Sequence, residues 1–312
     1  MAVAQRIRPK DLFTDAEWQS VSKRTPLMGV WLTLHCWGII AAAMALAIWQ
    51  PILIPFAIMI IGARQLGLAI LLHDAAHGGL STNKALNDFL GDWLGGAAIG
   101  QRLSAYRSYH LTHHKYAQQP EDPDLILSAP FPITRDSLKR KIIRDLTGQT
   151  FIKQRTHQFS KALGMDKRKI KGRENISQSA RSAVVPFLVF NTGLMIFLAL
   201  IGYWWAFWVL WILPMATWLP LITRLRNIAE HAIVPSNEDP LRHARTTYAN
   251  WIERAFIAPY WVNYHCEHHM FMHLPCYRLP AAHKMLKKKG ITDRMEIQPN
   301  YRTIISAAAS KA

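Results

Sequence analysis

Nine of this chain's fourteen histidines fall into four short clusters. They read His73-Asp74-Ala75-Ala76-His77, His110-Leu111-Thr112-His113-His114, Asn227-Ile228-Ala229-Glu230-His231 and His265-Cys266-Glu267-His268-His269. Residues three and four apart share a helix face, so H-x-x-x-H and H-x-x-H-H each aim their imidazoles in one direction. Imidazole suits Zn, Cu, Fe or Ni. A structural zinc site closes with four ligands, and the chain has neither a cysteine pair at metal spacing nor H-E-x-x-H. Nine imidazoles are too many for one ion but suit two, with four or five each. Di-iron bundles of the soluble kind use E-x-x-H, and that pattern is absent, so the site is histidine-rich instead. His35, His157, His243, His273 and His283 lack matching spacing and read as ordinary polar residues.

The elements that must position these clusters follow from charge. No Asp, Glu, Lys or Arg occurs from Thr25 to Ala63 or from Ala183 to Thr223. Each run is long enough for two membrane-spanning helices of about 20 residues, and a buried soluble helix of that length without a charged face is rare. Gln50-Pro51 and Gly202-Tyr203-Trp204-Trp205 divide the runs, predicting spans near 27–49, 51–72, 183–201 and 204–223. Tryptophan at both breaks suits the water–lipid boundary. Of the 37 Lys and Arg, only Arg64 lies inside a span. The three polar regions therefore share one side, and the positive-inside rule makes it cytoplasmic, with both termini. The net charge of +17 reads as a face against anionic lipid headgroups, not as nucleic-acid binding. Three widely spaced cysteines argue against a disulfide framework, and Met1 to Arg24 has no apolar core of a cleavable signal.

The expected organisation is a single all-α membrane domain. Residues 1–26 form an N-terminal arm, with Asp11 or Thr14 as helix caps, and 27–72 a first transmembrane hairpin. A cytoplasmic insertion, 73–182, carries the first two histidine boxes. Within it, 137–161 reads as an amphipathic helix on the membrane surface or in a cap, and Gly164 to Ser182 as a basic mobile loop. Residues 183–223 form a second hairpin. Residues 224–312 hold the N-x-x-x-H and last boxes, a basic helix around Ala281–Lys289 and a tail of small residues.

The order H-x-x-x-H, H-x-x-H-H, N-x-x-x-H, H-x-x-H-H, interleaved with two hydrophobic hairpins, resembles the membrane fatty acid desaturase superfamily over roughly residues 27–283. That resemblance implies four spanning helices under a cytoplasmic helical cap holding two iron ions. Carried over by motif, His73, His77, His110, His113, His114, His231, His265, His268 and His269 are expected as direct ligands, and Asn227 as reaching an iron through water. Asp74, Glu230 and Glu267 are expected to stand behind imidazoles and orient them. Asp122-Pro123-Asp124 resembles a family feature or reads as a turn.

The implied activity is dioxygen-dependent oxidation of unactivated C–H bonds, foremost desaturation of a fatty acyl chain in a membrane lipid. A hydroxylase or ketolase acting on a carotenoid, sphingolipid or other apolar substrate is the alternative. A histidine-lined metal transporter fits less well, because transport sites lie near the midplane of the spans and these clusters lie at their ends. With no Gly-rich fingerprint for flavin or nicotinamide, electrons are expected from a separate ferredoxin or cytochrome b5. Lys139-Arg140-Lys141 or Lys287-Lys288-Lys289 would steer such an acidic donor. The expected location is a bacterial inner membrane rather than the endoplasmic reticulum.

Overall fold

Four helices in the computed structural model are long and apolar enough to cross a membrane: Met28–Trp49, Pro51–Ala76, Arg181–Leu200 and Trp204–His231. The structure describes residues 6–165, 173–235 and 237–311. Met28–Trp49 shows why these helices are apolar all round. It buries Leu32, Cys36, Ile40, Met44 and Ala47 in the core and leaves Trp31, Leu34, Leu46 and Trp49 at least half exposed. A helix apolar on its outer face as well suits lipid.

The second long helix is the axis of the molecule. Nearly every side chain from Ile61 to Ala76 is buried, against the first and fourth long helices and the chain that follows. Two of its polar side chains bond to backbone of neighbouring segments. The Arg64 guanidinium donates to the carbonyls of Arg254 and Ala255 and lies over the Tyr260 ring, while Gln65 donates to the Trp211 carbonyl at 2.8 Å. On the third long helix, Asn191 donates to Ala98 and Phe187 carbonyls and accepts from the Trp211 indole at 2.7 Å. Charge and amide groups thus face protein, where a lipid-facing position would cost several kcal/mol.

The chain beyond His77 does not leave the core at once. Lys84–Phe89 is helical and continues as a π-helical stretch, Leu90–Ala97, packed against the second long helix. Glycine makes this approach feasible. A Cβ on Gly91 would lie 2.2 Å from the Ala75 methyl, and one on Gly95 would lie 3.0 Å from the Leu68 carbonyl oxygen.

Several expectations are corrected. The second long helix runs to Ala76, not 72, and the fourth to His231, not 223. Within the fourth, a π-helical stretch at Phe207–Ile212 and a break at Thr217 precede a regular Trp218–His231 helix. Gly164 to Ser182 is not all loop: a helix begins at Arg173 and continues through Leu200, while 166–172 lie outside the described residues. The segment 137–161 is two helices, Arg135–Leu146 and Gln149–Ala162, because Gly148 takes φ of 76° between them. Thr14, not Asp11, caps a helix, Asp15–Ser22, in a reciprocal pairing with Glu17.

The small-residue tail is also structured. A short parallel pairing of Thr246–Thr247 with Ile297–Gln298 brings the C-terminal segment back. The Tyr301–Ala308 helix then packs Ala308 and Ala309 on Leu138, Ile228 and Ala232. The N-terminal arm sets Phe13 and Trp18 on Phe271, beside the last box.

Candidate metal centre

Four helix ends deliver the nine clustered histidines. His73 sits in the last turn of the second long helix and His77 just past it. Gly78, at φ of 70°, closes that turn: its N–H bonds the Ala75 carbonyl, and the Gly79 N–H bonds the Asp74 carbonyl at 2.7 Å. His110, His113 and His114 lie on Leu103–Tyr116, whose first N–H is capped by the Asp92 carboxylate at 2.8 Å. Asn227 and His231 end the fourth long helix, and His265, His268 and His269 lie on the short helix His265–Met270.

The structure brings these side chains into two adjoining groups. His73, His77, His110, His114 and His268 form one; His113, His231, His265 and His269 form the other. Within each, the candidate ligand nitrogens lie within 4.8 Å of one another. The His114 Nε2 is 3.0 Å from that of His110 and 2.9 Å from that of His268, and the His265 Nε2 is 2.8 Å from His231 and 3.1 Å from His269. Two imidazole nitrogens each about 2.1 Å from one ion, at a right angle, are about 3 Å apart. The groups adjoin where the His114 and His269 rings approach to 4.4 Å between centroids.

The donor set fits metal ions by a second criterion. Both ring nitrogens of His77, Nε2 of His73 and Nδ1 of His269 are buried without a hydrogen-bond partner among the described residues. Unmet buried polar atoms are costly in a native fold, and a bound ion would satisfy one nitrogen of each ring that it takes as ligand. Burial, followed by the neighbouring imidazoles, pushes His77, His110, His114, His265, His268 and His269 well below the usual histidine range. They are therefore neutral near pH 7, the form that binds metal.

The carboxylates behind the rings differ from expectation in one respect. Asp74 lies 3.6 Å from His73 Nδ1 and also accepts from the Cys276 N–H; Glu230 lies 3.5 Å from His265 Nδ1 and is held by Arg226 at 2.6 Å. Glu267 faces away from the two groups and instead accepts from His283 Nδ1 and the Thr246 hydroxyl. Helical geometry explains this: within H-x-x-H-H, position i+2 points away from i, i+3 and i+4.

Asp122 does what was expected of Glu267. Its carboxylate accepts from His113 Nδ1 at 2.8 Å and from the N–H groups of Gln118 and Asp124. Asp124 accepts from the Tyr109 hydroxyl. The Asp122-Pro123-Asp124 signal was thus both a turn and a support for the second box. His243 carried no spacing signal, yet it is buried, with its ring centroid 5.3 Å from that of His269 and its carbonyl 3.4 Å from His231 Nδ1. His35 is remote, bonded to the Tyr260 hydroxyl.

Two neighbouring cavities open onto these groups. One, of about 550 Å³, reaches His110, His113, His231 and His265; the other, of about 310 Å³, reaches His73. Asn227 lines both.

Residues 47–297 match the family described as fatty acid desaturase. Over 239 residues the chain is 29% identical to the dihydrorhizobitoxine desaturase of Bradyrhizobium elkanii, covering 75% of this chain and 67% of that one. Over 252 residues it is 25% identical to the chloroplastic omega-6 fatty acid desaturase of Brassica napus, covering 76% of this chain and 54% of that one. The chain thus spans about half the length of the plant relative.

Proposed function

The chain belongs to the fatty acid desaturase family and is an oxidoreductase of the membrane, and on that premise we propose that it oxidises saturated C–H bonds of a lipid-like substrate with dioxygen, desaturation foremost. One observation carries the reading: nine buried imidazoles gathered into a group of five and a group of four. His73, His77, His110, His114 and His268 would hold one iron ion, and His113, His231, His265 and His269 the other, with Asn227 reaching an iron through water. A ferrous pair, when bound, supplies the reducing electrons that turn dioxygen into an oxidant able to take hydrogen from a methylene.

The chain's own residues provide the setting. Burial keeps the imidazoles neutral, and Asp122 fixes the His113 ring so that Nε2 faces its group. The cavities offer room for substrate beside the imidazoles. Desaturation balances as follows. The substrate loses two hydrogen atoms, which are two protons and two electrons, a donor adds two electrons and the solvent two protons, and dioxygen leaves as two waters. The donor is a separate protein of ferredoxin or cytochrome b5 type, drawn to basic surface such as Lys139, Arg140 and Lys141. The whole chain acts as one domain, two helical hairpins under a cytoplasmic helical cap, with both termini cytoplasmic.

Expression in a lipid-producing host, followed by mass spectrometry of total lipids, tests the reading. A product lighter by two hydrogens is expected, abolished in His113→Ala and His268→Ala, which also lose iron. A gain of oxygen instead identifies a hydroxylase or ketolase. Oxidised product persisting in both variants overturns the site.

A further inference from the structure

The wall beside the histidines carries many polar groups. Of the residues lining the 550 Å³ cavity, only Ala105 and Leu127 have wholly apolar side chains. A plain acyl segment placed against this wall would desolvate phenol, amide and charged groups without pairing them. The 310 Å³ cavity has more aliphatic residues in its wall, among them Leu66, Ile70, Met215 and Val262, beside the charged Arg155 and Arg224. Gln101, Gln154, Arg226 and Asn227 line both. The two cavities therefore meet at a shared guanidinium.

Among the described residues Arg226 makes one hydrogen bond to a protein group. Its Nε donates to Glu230 Oε1 at 2.6 Å, and among the described residues Nη1 and Nη2 have no protein acceptor at hydrogen-bond distance. The side chain is only 17% exposed, and it lines both cavities, so the remaining donors are available to a molecule bound there. The outer edge of a guanidinium matches a carboxylate with two parallel hydrogen bonds. The cavity's two carboxylates are already engaged, Glu230 by Arg226 and Asp124 by the Tyr109 hydroxyl. Glu230 Oε1 also lies 3.5 Å from His265 Nδ1, so a single carboxylate oxygen separates the guanidinium from the second histidine group.

We infer that Arg226 binds the carboxylate head of an amphiphilic substrate whose apolar part occupies the 310 Å³ cavity. The oxidised carbon then lies within a few bonds of the head, not in the middle of a long chain. The placement of that carbon rests on the oxidation proposed above; the binding of the head does not.

The test measures binding of octanoate, methyl octanoate and octyl phosphate to the purified full chain in a nonionic detergent. Wild type is expected to prefer octanoate over its ester by roughly tenfold, as a charged hydrogen bond warrants. Arg226→Lys should lower that ratio, and Arg226→Met with Glu230→Gln should bring it near one. The paired variant removes both charges together, so no buried carboxylate is stranded if Arg226→Met alone fails to fold. Equal binding of acid and ester by wild type, or a ratio unchanged in the paired variant, overturns the assignment. Octyl phosphate binding tighter than octanoate overturns the carboxylate and assigns the head to a phosphate. Acid preference in a protein that oxidises no substrate defeats the oxidation reading and leaves the head site standing. Oxidised product without acid preference does the reverse.

Discussion

His113 is held differently from its neighbours. Its Nδ1 meets the Asp122 carboxylate at 2.8 Å, whereas Asp74 and Glu230 stand 3.6 and 3.5 Å from His73 and His265. A hydrogen bond of that length fixes both the tautomer and the ring plane, leaving Nε2 as the nitrogen for an ion. Asp122→Ala is therefore expected to cost roughly 10- to 100-fold in iron affinity or turnover. Asp122→Asn, which keeps an acceptor oxygen and the turn contacts, should cost less. Iron per chain, measured on purified protein alongside product formation, checks both; wild-type iron and turnover in Asp122→Ala would refute the role. At this scale the nine histidines were legible because helical spacing is written in the sequence. The distinction between Asp122 and Glu267 was not. It depends on which way each carboxylate faces once the short His265–Met270 helix is docked, and Glu267 ends against His283 and Thr246.

Box one depends on an element with no histidine of its own. The Leu90–Ala97 stretch presses Gly91 against Ala75, the residue midway between His73 and His77, and supplies Asp92 to cap the second-box helix. Gly91→Ala adds a methyl where a Cβ would meet that of Ala75 at 2.2 Å, so the stretch must shift. Overpacking of this kind costs about 1–3 kcal/mol. The expected outcome is lower thermal stability and reduced iron content, with recovery in the Gly91→Ala/Ala75→Gly pair, which returns the missing space. Equal iron and stability in the single variant would show that this contact does not position box one. The long helices were legible from charge-free runs, but their functional ends were not. His73, Asn227 and His231 lie on continuous helix beyond the predicted limits, because a membrane helix that packs into a protein cap has no reason to stop at the lipid boundary. The Leu90–Ala97 stretch was hidden for a related reason. Its three glycines and short length resemble a loop, and only the smooth face of the second long helix makes them a packing surface.

At the scale of the whole molecule, the proposed plan puts the basic residues on one side of the membrane. Thirty-six of 37 Lys and Arg lie outside the predicted spans, and the remaining one, Arg64, is buried against backbone carbonyls and the Tyr260 ring. Both chain ends pack near the histidines: Phe13 and Trp18 contact Phe271 beside the last box, and Ala308 packs on Ile228 in the helix that ends at His231. On the proposed two-hairpin plan both termini therefore lie on one face of the bilayer. The chain also offers a clean means of checking this, since Cys36, Cys266 and Cys276 are all buried and should give little background to a thiol reagent. Single cysteines at the exposed positions Lys10, Lys139 and Lys288 should react with a membrane-impermeant maleimide only after the cells are opened. Ile52→Cys and Tyr203→Cys, at the exposed turns between paired long helices, should react from outside intact cells. Labelling of Lys10→Cys and Lys288→Cys on opposite sides, or of Lys139→Cys together with Ile52→Cys, would overturn the shared cytoplasmic face and the two-hairpin plan with it.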